Sequence, residues 1–168
     1  LNGSIIGIGA TRIGSVRSRK SENHVLLDKN FKEFLRLLEE EGVEYLVIGG
    51  YAVGLYGFPR YTGNIDFFVG VSPSNARRLY NVFRRFGFVH LEEKEFLESG
   101  MVFRIGNPPK RIEVLNEISG VRFDTAWKNR KRVELEGQWL NLISKSDLMR
   151  NKRSTGRSKD QIDYTELK

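Results

Sequence analysis

The sequence predicts a two-layer α+β domain, a mixed β-sheet with helices packed against it. Three observations predict it. Stretches with helical spacing alternate with short apolar runs of strand length, and several such runs then follow one another before two closing helices. Eleven Phe, six Tyr and two Trp supply large side chains for one core. Charged residues make up 29% and hydrophobic residues 39% of the 168 residues, a globular balance in a chain of single-domain length.

The elements follow in order. Residues 1–24 are rich in Gly, Ser and Arg and show no clear period, so they read as a flexible leader or an appended extension. Gly7-Ile8-Gly9 with Gly14 lacks the flanking strand and helix that a dinucleotide loop needs. Residues 25–168 are expected to form the single domain. Phe31, Phe34, Leu35 and Leu38 recur at helical spacing, with Asp28 as cap and Gly42 as stop. Tyr45 to Ile48 is a short strand broken by Gly49-Gly50, and Tyr51 to Tyr56 a brief helix. Ile65 to Val71 reads as a second strand. Ser72-Pro73 opens a helix closed by Gly87, since proline at the first helical position loses no hydrogen bond.

Phe88 to Leu91 is expected as a short strand and Glu92 to Glu98 as a short helix. Met101 to Ile105 and Arg111 to Leu115 form an antiparallel pair across Asn107-Pro108-Pro109. Asp124 is read as the cap of a helix carrying Trp127. Val133 to Glu136 and Trp139 to Ile143 suggest a hairpin. Ser144 with Asp147, and Ser158 with Gln161, fit capping boxes.

Composition excludes several chemistries. There is no cysteine, so disulfides, thiolate nucleophiles and cysteine-bound metals are excluded. His24 and His90 are too few for a histidine-rich metal centre. No apolar run approaches the about 20 residues of a membrane helix. A bacterial or archaeal cytoplasm is the expected compartment. The formal net charge of +7 suggests an anionic partner, although it also serves solubility.

The informative block is Ile48-Gly49-Gly50-Tyr51-Ala52-Val53, then Arg60-Tyr61-Thr62-Gly63-Asn64-Ile65-Asp66-Phe67. Two glycines at a strand end let a ligand approach the backbone closely. The N–H groups that open the next helix suit a phosphate. Asn64 and Asp66 are two apart on a strand and share a face, so together they can present oxygen to a hard cation such as Mg²⁺. Glu113 joins them if Arg111–Leu115 lies beside Ile65–Val71. Singly, each feature has an ordinary explanation: a turn, a solvated strand face, a half-exposed strand. Their order and spacing together are much harder to reach by accident.

That ordered set resembles the nucleotidyltransferase superfamily, whose fold is that of DNA polymerase beta and the aminoglycoside and lincosamide nucleotidyltransferases. Within it, residues 30–168 are similar to the small prokaryotic enzymes of the AbiEii group, toxins of type IV antitoxin systems. The later marks are Pro108-Pro109 before Arg111-Ile112-Glu113, then Ile118-Ser119-Gly120-Val121. Asp147-Leu148 follows, with Lys152, Arg157, Lys159-Asp160 and Asp163. The resemblance implies that Gly49 and Gly50 hold the triphosphate. It implies that Asn64, Asp66 and Glu113 are the catalytic and metal-binding set for one or two Mg²⁺ ions. Glu113 would ligate metal or draw the acceptor proton, and Lys152 would neutralise phosphate charge. Arg60 and Thr62, beside the glycines, are further candidates for nucleotide contact. The substrate would be a nucleoside triphosphate such as ATP, and the acceptor a hydroxyl of RNA, protein or a small molecule.

Two residues depart from the family pattern. Asn64 stands where the family usually has aspartate, which removes one negative charge from the cation site. Glu113 also stands at an aspartate position; it keeps the charge but reaches further. A catalytically weakened nucleotide- or partner-binding protein on the same fold is therefore the alternative, and a general nucleic-acid-binding module a third. Trp127 and Trp139 read as core residues and His90 as a surface residue.

Overall fold

In the computed structural model, residues 10–12 and 25–168 are described. Strand β1 (Ala10–Arg12) precedes helix α1 (Lys29–Glu40), strand β2 (Tyr45–Ile48), helix α2 (Gly49–Leu55), strand β3 (Asn64–Val69) and helix α3 (Pro73–Phe86). A 3-10 turn (Glu93–Leu97) leads to β4 (Val102–Ile105), β5 (Arg111–Leu115), α4 (Phe123–Asn129), β6 (Lys131–Leu135) and β7 (Gln138–Leu142). Helices α5 (Lys145–Ser154) and α6 (Ser158–Leu167) follow. The seven strands form one mixed sheet in the order β1-β6-β7-β2-β3-β5-β4. Ala10–Arg12, inside the segment read as a leader, pairs in parallel with β6. The rest of residues 1–24, Gly7-Ile8-Gly9 included, lies outside the described residues.

Strand alternation divides the sheet into two working faces. Phe67 of β3 meets Phe34 of α1 at 5.5 Å and Tyr45 of β2 at 5.7 Å, and Phe34 meets Phe83 of α3. These aromatic pairs, with Leu35, Leu38, Val47, Ile65 and Val114, make the main core. Phe68 points the other way, onto Phe123 of α4 at 5.1 Å. Asn64, Asp66 and Phe68 share that second face, and so do Glu113 and Leu115 through the β3–β5 register.

Several helix ends follow the expected chemistry. Asp28 accepts from the Asn30 N–H, Ser72 from the Asn75 N–H and Ser144 from the Asp147 N–H. Three expectations need correction. Phe88 to Leu91 is not a strand; Phe88 packs on Phe83 and stacks on Phe86, so its apolar character serves an aromatic cluster rather than a ladder. Asp124 is not the cap of α4 but sits within its first turn, after Arg122. Ser158 is likewise already helical, behind a cap at Arg157 that makes no side-chain bond to the backbone. A carboxylate inside a first helical turn favours the helix through the dipole without capping it. Asp124 and Asp160 both hold such positions.

Candidate functional site

Two neighbouring ladders assemble the site. The β2–β3 register sets Ile48 against Asp66, which brings Gly49, the next residue, beside the aspartate. The parallel β3–β5 register sets Asn64 against Arg111 and Asp66 directly against Glu113. The β4–β5 register sets Arg104 against Glu113. A cleft of about 990 Å³ opens over this patch. All eight candidate residues line it: Gly49, Gly50, Arg60, Thr62, Asn64, Asp66, Glu113 and Lys152.

The glycines have a specific task. Gly49 has φ +67°, and a Cβ there would come within 2.2 Å of the Asp66 carboxylate. A Cβ on Gly50 would come within 2.8 Å of the Thr62 hydroxyl. The missing methyls therefore make room first for Asp66 and Thr62, side chains that themselves face the cleft. A Gly49→Ala protein is expected to lose about 1–2 kcal/mol of stability from the left-handed backbone alone. Displacement of Asp66 adds to that loss. Thermal melts with and without nucleoside triphosphate check both effects, and an unchanged melting curve contradicts them.

Asp66 and Glu113 live in different fields. Burial, then the neighbouring Glu113 charge, pushes the Asp66 carboxyl up to about 6, against the pull of Lys152, Arg157 and Arg111. Among the described residues no cation forms a direct ion pair with it. Glu113 is already engaged: Arg111 donates to it at 2.5 Å, and Arg104 lies 3.5 Å away. The Arg111 Nε is buried and has no hydrogen-bond partner.

Lys152 is almost fully buried, at 4% exposure. Its ammonium lies 2.7 Å from Asp160 and 2.9 Å from Asp163, both on α6. Asp163 also takes a two-pronged contact from Arg60, at 2.8 and 2.7 Å. Asp160 accepts from Thr155 and Arg157, each at 2.6 Å. Two carboxylates thus hold three cations. An ammonium has three donors, and two acid partners leave one for a ligand.

The donor set suits a hard cation, with limits. Asn64, Asp66 and Glu113 offer only oxygen, the donor that Mg²⁺ takes. The repulsion between Asp66 and Glu113 is what a cation between them would relieve. Among the described residues, no group of three or more His, Cys, Asp or Glu side chains gathers to hold a metal. The third donor is the neutral Asn64 amide, and Arg111 competes for Glu113. The set fits one divalent ion bound less tightly than three carboxylates would bind it.

Sequence reasoning missed Arg104 and Arg111. Arg111 was within reach, because two residues apart on a strand means one face with Glu113. Arg104 depends on the β4–β5 register, which the residues of the intervening turn do not fix.

No family model matches the chain, and no curated protein sequence matches it. Solved structures do. A candidate nucleotidyltransferase from Thermotoga maritima is similar over 80% of this chain and 88% of its own, at 17% identity and a TM-score of 0.53. A lincosamide antibiotic adenylyltransferase with lincomycin bound is similar over 84% of this chain and 96% of its own, at 14% identity and a TM-score of 0.51. An antigenic nucleotidyltransferase-like protein of Paracoccidioides brasiliensis is similar at 20% identity and a TM-score of 0.49, over 81% of this chain and 72% of its own. The first two place the chain in the nucleotidyltransferase fold. Among the described residues no helix is long and apolar enough to cross a membrane.

Proposed function

We propose that the protein is a Mg²⁺-dependent nucleotidyltransferase that moves a nucleoside monophosphate from a nucleoside triphosphate onto a hydroxyl acceptor. One observation carries this reading: Asp66 and Glu113 face each other in register beside Gly49, in the cleft that Lys152 also lines. The acceptor oxygen attacks the α phosphorus, a new O–P bond forms, and the bond to the bridging oxygen breaks so that pyrophosphate leaves. Glu113 takes the acceptor's proton. Lys152 and Arg60, fixed by Asp163, balance charge on the phosphates. The Gly49-Gly50 backbone and Thr62 set how closely the triphosphate approaches. Asn64, Asp66 and Glu113 are the residues that would hold a divalent ion, which when bound would supply charge neutralisation at the reacting phosphate. Positioning and electrostatics suffice for this chemistry, with no covalent intermediate.

The test is thermal stabilisation by each of the four nucleoside triphosphates, with and without Mg²⁺. A ligand that binds only the folded form raises stability by about 2.7 kcal/mol at a hundred times its dissociation constant. At least one Mg²⁺–nucleotide pair is expected to raise the melting temperature; no shift with any pair overturns the reading.

Nucleotide binding without turnover is the second reading, and the neutral Asn64 together with the Arg111–Glu113 contact favours it. Asn64→Asp separates the two. The added charge is expected to tighten Mg²⁺ binding about tenfold, read by calorimetry. Transfer by both proteins identifies an enzyme, whereas transfer only after the replacement identifies a binding protein.

A further inference from the structure

Two arginines of the cleft have the same side-chain exposure, 26%, and different degrees of commitment. Arg60 grips Asp163 with two prongs, at 2.8 and 2.7 Å. Arg111 touches Glu113 with one: Nη2 donates to Oε1 at 2.5 Å, while the buried Nε has no partner. A two-pronged contact fixes a guanidinium in direction as well as in place, and a single contact does not. A buried donor without an acceptor is costly, so a ligand oxygen that reaches Nε stabilises the guanidinium in a second position.

The backbone beneath Arg111 is fixed. Its N–H donates to the Gly63 carbonyl at 3.2 Å, and its ladder partner is Asn64. Asn64 presents a neutral amide, which gives the guanidinium no charge to settle on. Glu113, two residues along the same strand face, takes it instead. Arg111 also stands one strand away from the segment that leads to the glycine turn. There the Thr62 hydroxyl donates to the Asn64 carbonyl at 3.2 Å and would lie 2.8 Å from a Cβ on Gly50. Arg111, Glu113, Thr62 and Gly50 all line the one cleft.

The planar donors of an arginine match two phosphate oxygens at once. We propose that the Arg111 guanidinium exchanges between two partners, the Glu113 carboxylate and the phosphates of the nucleoside triphosphate, so that nucleotide binding frees Glu113 to hold a divalent ion. This rests on the transferase reading, because it gives a further residue to that reading's nucleotide and cation sites. The exchange orders the two ligands. With Arg111 on Glu113, an arriving cation meets a positive charge in contact with its ligand. With Arg111 on the phosphates, Asp66 and Glu113 oppose each other across the ladder, and a divalent ion relieves their repulsion. Coupling between two ligands is reciprocal, so the cation in turn keeps Arg111 on the phosphates. Arg104 lies 3.5 Å from the same Oε1 with its side chain 58% exposed, and solvent screens its pull on Glu113.

The experiment is calorimetric titration of the full chain with two probes, Mn²⁺ alone and inorganic tripolyphosphate in EDTA. Arg111→Gln is expected to bind tripolyphosphate about tenfold more weakly, the scale of one lost charge-assisted contact. The same variant is expected to bind Mn²⁺ about tenfold more tightly, because Glu113 loses its competitor. A merely structural role would weaken both. A general field effect would be shared by Arg104→Gln, which removes an equal charge beside the same oxygen; that variant is expected to shift each affinity less than about threefold. Glu113→Gln leaves Arg111 with the phosphates alone and is expected to bind tripolyphosphate about tenfold more tightly. That gain is expected to vanish when Arg111→Gln is added, and it is the second readout should Arg111→Gln by itself fail to fold. Unchanged or weaker Mn²⁺ binding by a folded Arg111→Gln protein, an equal effect of Arg104→Gln, or no tripolyphosphate binding by the parent overturns the exchange. No stabilisation of the parent by any Mg²⁺–nucleotide pair overturns the transferase reading and the exchange with it. A parent so stabilised whose Arg111→Gln variant gains nothing for Mn²⁺ overturns the exchange alone.

Discussion

Replacing Asp66 with asparagine is expected to raise the melting temperature at pH 7 while lowering nucleotidyl transfer at least about a hundredfold. The two effects share one cause. Burial, with Glu113 alongside, holds the Asp66 carboxyl up at about 6, against an ordinary value of 3.8. Ionising it in the folded protein costs up to about 3 kcal/mol, at about 1.4 kcal/mol for each tenfold gain in proton affinity. The sign follows from proton binding. Between about pH 4 and 6 the folded form retains a proton that the unfolded form has lost, so stability falls as pH rises through that window. Above it the penalty stays constant.

Asp66→Asn removes the ionisable group. The variant is therefore expected to match the parent near pH 4 and to exceed it above pH 6 by about 1–3 kcal/mol. For a chain of this size that is about 2–4 °C in melting temperature for each kcal/mol. Transfer falls because an amide replaces the carboxylate of the Asp66–Glu113 pair that no described cation contacts directly; even outer-sphere changes at metal sites cost about 10–100-fold. Melting curves from pH 4 to 8 beside a pyrophosphate-release assay test this. A variant less stable than the parent at pH 7 contradicts the account.

Lys152→Met is expected to act in the opposite direction on stability. It leaves Asp160 and Asp163 buried with one cation fewer. Removing one partner of a buried ion pair costs about 3–5 kcal/mol. Arg60 and Arg157 still face the two acids, so the lower figure applies. The expected loss of about 3 kcal/mol lowers the melting temperature by about 6–12 °C. Its pH dependence identifies the cause. Burial alone would raise both carboxyls. Lys152 with Thr155 and Arg157 outweighs that effect at Asp160, and Arg60 with Lys152 outweighs it at Asp163, so both lie below the ordinary range. Their contribution is present above about pH 4 and is lost as pH falls through the lowered values. Without Lys152 the acids accept protons more readily, and the deficit between variant and parent shrinks on acidification. An equal deficit at pH 4 and pH 7 would point to lost packing rather than lost charge.

The residues differ in how far the sequence reveals them. Asn64 and Asp66 share a face because strand side chains alternate, a rule that needs no tertiary information. Glu113 required one further assumption, that β5 lies beside β3, and the parallel ladder has that order. The Lys152 cluster was partly legible: Asp160 and Asp163 sit at helical spacing, but their reach to Lys152 depends on how α6 folds back on α5. Arg104 was invisible, since only the β4–β5 register sets it opposite Glu113. Phe88 misled because an apolar residue between turns reads as a strand, and only the neighbouring Phe83 and Phe86 reveal an aromatic cluster.

Asp163 ties the loop bearing Arg60, 103 residues away in sequence, to the neighbouring helix that bears Lys152 and to its own helix α6. One carboxylate therefore fastens the end of the cleft that carries Lys152 and Arg60. Whatever peels α6 away, a protease, a fused tag or a binding partner, unpins both cations in one movement. The cleft's charge pattern is thus coupled to the docking of α6, which also sets Lys159 and Asp160 in its wall.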